Sequence, residues 1–230
     1  MTSPWLDVPL ADYEGHMALP EVAQARLIAD IFERTLTEYR PRSIAVLGCA
    51  GGNGFERIST GITERVVGVD LNPGYIQQAR ARFKERIPTL ELHVGNIESE
   101  GVAFPPVELI FAGLVLEYVD VQVVLIRVRR LLTATGILCT VIQLPTPESA
   151  VVTSSPFRSI QALAPFMRLI APVQLAELAK KCGYQEIASR LVEHRIGKQF
   201  QMQAFRVMTP NCSVNTDAAP EATQRRLPGR

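Results

Sequence analysis

Residues Ser43 to Gly54 read SIAVLGCAGGNG, and a second run, VVGVD, closes at Asp70. Ile44, Val46 and Leu47 are the aliphatic types that suit a parallel strand buried on both faces. The glycines behind them let the backbone turn sharply and come close to a ligand. Asp70 follows Gly48 by 22 positions, near the roughly 20 that set an acidic side chain at the tip of the second strand, against a ribose. A glycine turn alone is weak evidence, since tight turns need glycine everywhere. The aspartate at this distance makes the pair a site for an adenosine-bearing cofactor. DLNPG, from Asp70 to Gly74, also reads as a turn and helix start, and the two readings are compatible.

Outward from this pair, strands and helices alternate. Leu27, Ile28, Ile31, Phe32 and Leu36 recur at helical spacing between Pro20 and Tyr39, with charged residues between them. The pattern then predicts strand 44–48, helix 53–60, strand 66–70 and helix 73–86, which Pro88 ends. Next come strands 90–95 and 107–112, helix 120–132 and strand 137–143. Such a rhythm predicts an α/β, Rossmann-like, mostly parallel sheet with helices on both faces and its ligands beyond the carboxyl ends of the strands. Residues 144–165 hold four prolines and read as an irregular insertion over that edge, a lid rather than a crossover. Helix 172–182 leads through Gly183 to strands 185–194 and 199–207. The short turn between these two makes them an antiparallel pair and brings the sheet to seven strands.

The expected layout is an N-terminal helical cap over 1–42, a cofactor-binding domain over 43–208 with a substrate-side insertion at 144–171, and a polar tail at 209–230 that reads as disordered. The 230 residues are 47% apolar, enough for one substantial core. A net charge of +1 offers no long-range field for nucleic acid or an anionic membrane, so neither is an expected partner. Cys49, Cys139, Cys182 and Cys212 form no CxxC pair, which argues against a zinc site or disulfide framework and fits a reducing, cytoplasmic setting. The N-terminus lacks a basic start and apolar run, and no segment reads as a membrane span.

The element order over residues 40 to 207 resembles the class I S-adenosylmethionine-dependent methyltransferases. In that family an acidic residue stands two before a GxGxG turn; here Val46 takes the acidic place and the turn reads Gly48, Ala50 and Gly52. The LGCAGGNG turn, the DYEGHM leader and the LEYV segment set the resemblance within a branch of its own. The resemblance implies S-adenosylmethionine as cofactor. It puts Gly48, Cys49 and Ala50 along the methionyl part, Asp70 on the ribose and Leu71 on the adenine. In HVGNIES, Asn96 would accept from the adenine amino group and Ile97 would offer its N–H. Gly113 and Leu114 would wall the sulfur.

Positioning dominates methyl transfer, and a hydroxyl or protonated amine acceptor also needs a base. Tyr118 and His16 are the candidates, with Glu117 behind them. Each has a plain alternative: Tyr118 as a half-buried aromatic bonded to a loop carbonyl, His16 as a capping residue before the long helix. Tyr13, Met17 and Trp5 would join a leader folded over the cleft. The compact, near-neutral chain favours a small-molecule methyl acceptor. Two other readings stand beside this one. Gly48, Gly51 and Gly54 also satisfy GxxGxxG, which with Asp70 would suit an NAD(P)-dependent reductase; against it, no tyrosine is followed four residues later by lysine. A cofactor-binding module without catalysis is the other.

Overall fold

The computed structural model of the chain describes residues 3–145, 152–193 and 198–208. Two helices open it, α1 (Leu10–Ala18) and α2 (Gln24–Tyr39), followed by β1 (Ser43–Leu47), β2 (Arg65–Asp70), α3 (Pro73–Phe83) and β3 (Leu90–Val94). Then come β4 (Val107–Gly113), α4 (Val121–Arg130), β5 (Leu132–Gln143), the single turn α5 (Arg158–Gln161), α6 (Pro172–Lys181), β6 (Tyr184–Glu193) and β7 (Gln199–Val207). The strands form one seven-stranded sheet in the order β3-β2-β1-β4-β5-β7-β6. The first five are parallel, and β7 runs antiparallel to both β5 and β6. This is the expected α/β architecture with an antiparallel C-terminal pair.

Period-two alternation divides the core. Ala45 and Leu47 of β1 face a cluster completed by Val124, Leu125 and Val128 of α4 and by Leu175 and Ala179 of α6. Ile44 and Val46 face the other cluster, with Ile28, Ile31 and Phe32 of α2 and Ile76 of α3. Val46 thus packs in the core where the family pattern has a carboxylate.

Local chemistry explains the boundaries. Asn72 caps α3 by accepting from the Gly74 amide at 2.9 Å, with Pro73 at the first helical position. Asp120 caps α4 through the Val123 amide at 3.1 Å.

The structure corrects three expectations. No α-helix spans 53–60; a 3-10 turn covers only Phe55–Arg57, because Gly54 at its entrance sits at φ +87° and the chain leaves helical geometry after one turn. The leader before α2 is itself helical, and Ala23 at φ 43° separates it from α2, which starts four residues later than the periodicity suggests. β5 begins at Leu132 rather than 137, since Leu132 pairs with Val107 ahead of a register shift. The expected tail at 209–230, including Cys212, lies outside the described residues. No helix among the described residues is long and apolar enough to cross a membrane.

Candidate active site

The β1 strand ends at Leu47, and Gly48 turns the chain at φ +64°. A Cβ on Gly48 would lie 2.2 Å from Cγ2 of Val115, so only glycine lets the turn meet the loop after β4 this closely. Ala50 follows at φ 47°, a left-handed conformation that is costly for a residue with a side chain. Its amide donates to Oδ2 of Asp70 at 2.8 Å, while Oδ1 of Asp70 accepts from the Asn72 amide at 2.9 Å. Asp70 is 9% exposed. Burial raises its carboxyl above the ordinary range, and the amides of Asn72, Ala50 and Leu71 oppose that rise. With three amides on about four acceptor sites, the carboxylate keeps capacity for a ligand hydroxyl.

One cleft at the carboxyl edge of the sheet joins these groups. Gly48, Ala50, Asp70, Leu71, Asn96 and Ile97 line it. Gly113 and Leu114 line it as well, at the end of β4, where Leu114 at φ 56° donates its amide to the Val141 carbonyl at 2.9 Å. His16 and Tyr118 also reach the cleft. Oδ1 of Asn96 accepts from the Glu98 amide at 2.8 Å, which fixes the side chain with one lone pair to spare.

Cys49 and Gly52 do not line the cleft. The Cys49 side chain belongs to the core, where burial pushes its thiol well up. Gly52 instead faces the rings of Phe83 and Phe55.

A cluster of aromatic side chains forms a partial roof over the cleft. Trp5 packs edge-on against Tyr118 with centroids 5.0 Å apart and against Tyr13 at 5.9 Å, and Tyr13 stacks on Tyr75 at 6.1 Å. The leader is tied down by the Tyr75 hydroxyl donating to the Val8 carbonyl at 3.0 Å, by Asn72 Nδ2 donating to the Trp5 carbonyl at 3.1 Å, and by the Arg82–Glu14 ion pair. Ser159 of α5 donates to Asp12 at 2.6 Å, so part of the proline-rich insertion meets the leader over the cleft.

The three titratable groups singled out as candidates differ in state. Burial raises the Tyr118 hydroxyl far above its ordinary value, which makes it a poor base near neutrality. His16 is 6% exposed, with Nδ1 unpartnered among the described residues. Burial first, and the Lys198 ammonium second, hold its pKa below the usual histidine value, so its imidazole is the neutral, proton-accepting form. Glu117 is fully buried and does not line the cleft. Burial lifts its carboxyl to about 7, against a bond from the Gln143 amide to Oε1 at 2.8 Å. Its Oε2 has no partner among the described residues.

Gln24, Gln143 and Lys198 line the cleft as well, and no motif marks them. Nζ of Lys198 donates to Oε1 of Gln143 at 3.3 Å. The available signal is topological: β7 runs antiparallel to β5, so the residue just ahead of it lies at the edge where β5 ends. Among the described residues no three histidine, cysteine or acidic side chains cluster to hold a metal.

Residues 46–140 match a family model described as a methyltransferase domain. That stretch, less than half of the chain, is similar to methyltransferase domains. The fold recurs in solved structures. The N-methyltransferase NodS from Bradyrhizobium japonicum WM9, in complex with S-adenosyl-L-homocysteine, aligns with a TM-score of 0.61 at 14% identity, over 82% of this chain and 88% of its own. Magnesium protoporphyrin IX methyltransferase (ChlM) from Synechocystis PCC 6803, with bound S-adenosylhomocysteine, aligns at 0.61 and 12%, over 81% and 84%. The [4+2]-cyclase SpnF aligns at 0.62 and 13%, over 82% and 83%. At these identities the likeness is one of fold, and the fold serves more than one chemistry. No curated protein matches this chain in sequence.

Proposed function

We propose that this domain transfers the methyl group of S-adenosylmethionine to a small-molecule acceptor held in the same cleft. The observation that carries the reading is the Asp70–Ala50 bond of 2.8 Å, which sets a carboxylate and a glycine turn on the same wall of one cleft. Gly48, which tolerates no Cβ, leaves the backbone bare where the methionyl part would pass, and Asp70 retains acceptor capacity for a ribose. The residues therefore fit the cofactor. Leu71, Asn96 and Ile97 would surround the adenine, and Gly113 and Leu114 the sulfur.

When bound, S-adenosylmethionine supplies a methyl group already activated by a sulfonium. The protein's tasks are alignment, exclusion of water and, for a protic acceptor, removal of a proton. The roof of Trp5, Tyr13 and Tyr118 keeps water from the cleft. His16, neutral and unpartnered at Nδ1, is the base; Tyr118 is a wall. Residues 3–42 act as a cap, and the described part of the 144–171 insertion joins them from the substrate side.

Calorimetry with S-adenosylhomocysteine tests the cofactor assignment: the wild type binds and Asp70→Ala loses most of the affinity. Clear NADH binding without S-adenosylhomocysteine binding would move the assignment to a reductase. Transfer of labelled methyl to small molecules in a metabolite extract tests the reaction. Cofactor binding without any transfer would leave a binding module.

A further inference from the structure

Asn72 stands just beyond Asp70 and Leu71 and is 8% exposed. Its backbone amide donates to Oδ1 of Asp70 at 2.9 Å, and its own Oδ1 accepts from the Gly74 amide at 2.9 Å to cap α3. A helix cap needs only an acceptor, which serine or aspartate would supply about as well. Asparagine brings an NH2 group besides, and a buried amide donor is costly without partners. The partners it finds belong to the leader: Nδ2 of Asn72 donates to the Trp5 carbonyl at 3.1 Å and to the Val8 carbonyl at 3.5 Å. Further along the same turn of α3, the Tyr75 hydroxyl donates to that Val8 carbonyl at 3.0 Å.

The segment held in this way is part of the cleft. Trp5, Tyr13, His16 and Met17 line it from the leader, and Asp70 lines it from the end of β2. Asn72 therefore joins two things: its backbone meets the carboxylate assigned to the ribose, and its side chain meets the segment that partly roofs the same space. A ligand and a wall that contact each other are thermodynamically linked. Whatever holds the leader down raises the ligand's affinity, and the ligand holds the leader down by the same factor.

We propose that Asn72 is a positioning residue for the cofactor: its side-chain amide latches the leader over S-adenosylmethionine, so that closure of residues 3–19 and occupancy of the cleft rise and fall together. The inference deepens the methyltransferase reading above and rests on it. Asn72 acts through the carbonyls of Trp5 and Val8 and not on the reacting atoms. Release of the spent cofactor is the step at which these bonds part.

The test uses the full chain and S-adenosylhomocysteine, with calorimetry reading affinity, a filter-binding chase of the labelled ligand reading release, and hydrogen exchange reading the leader. In the wild type, saturating S-adenosylhomocysteine is expected to slow exchange over residues 3–19 roughly fivefold or more. Asn72→Ser keeps an acceptor at the cap and the backbone amide to Asp70 but loses the NH2 group. It is expected to release S-adenosylhomocysteine roughly three- to tenfold faster, the worth of a neutral hydrogen bond, to lose affinity by the same factor, and to give up that share of the leader's protection. Tyr75→Phe, which leaves the cap and Asp70 as they are, should show the same pattern and serves if Asn72→Ser does not fold. A purely structural Asn72 would lower the melting temperature and leave release from the folded protein unchanged. Unchanged release in the folded variants, or exchange over residues 3–19 that S-adenosylhomocysteine does not slow in the wild type, overturns the inference. Failure of the wild type to bind S-adenosylhomocysteine would instead overturn the cofactor assignment.

Discussion

Oδ2 of Asp70 and the amide of Ala50 are bonded at 2.8 Å, so the tip of the second strand and the turn after the first form one unit. Asp70→Asn tests this. An asparagine would point an N–H at one of two backbone amides, of Ala50 or of Asn72, which already donate to this side chain. We expect a loss of roughly 1.5–3 kcal/mol in binding of S-adenosylhomocysteine, read by calorimetry, with the turn itself loosened.

Ala50 adopts φ 47° and carries the strain of that conformation. Ala50→Gly relieves roughly 1–2 kcal/mol of backbone strain and costs about 0.5–1 kcal/mol in chain entropy. The net expectation is a small gain, about 1–3 °C in melting temperature. A clear loss of stability would mean that the methyl group packs against something the turn needs.

Glu117 gives the protein a built-in pH dependence. Its carboxyl rises from 4.5 in a model peptide to about 7 through burial, so the folded state holds its proton more tightly than the unfolded chain. Its contribution is complete below about pH 4.5 and is lost as pH rises towards 7, a loss on the order of 3 kcal/mol. Glu117→Gln should match the wild type near pH 4.5 and exceed it by roughly 5–10 °C in melting temperature near pH 8. Parallel pH profiles for the two proteins would refute the assignment of this titration to Glu117.

The cap should respond to one hydroxyl. Tyr75→Phe removes the 3.0 Å bond to the Val8 carbonyl. We expect about 1 kcal/mol less anchoring, seen as several-fold faster hydrogen exchange over residues 3–19 with exchange in β1 and β4 unchanged.

The sheet was readable because each of its central strands is a short β-branched run with a turn signal behind it. Val66, Val67 and Val69 announce β2 as plainly as Gly48 announces the turn. No helix forms over 53–60 because the three glycines among residues 51–54 do not open one but set the chain off axis at Gly54. Asp70 was legible through its distance from Gly48, and Asn96 through its family position. Cys49 misled because adjacency in a turn does not say which way a side chain points: its backbone rounds the bend while its sulfur enters the core. Lys198 and Gln143 carry no motif and meet only because β5 and β7 are antiparallel neighbours.

Trp5 is the only tryptophan in the chain, and it sits at the cleft mouth with its ring against Tyr118 and Tyr13. The molecule thus carries an optical reporter of its own occupancy. Any guest entering beneath that indole changes the surroundings of a single emitter, so fluorescence can follow loading and release in real time on the unlabelled, unaltered chain.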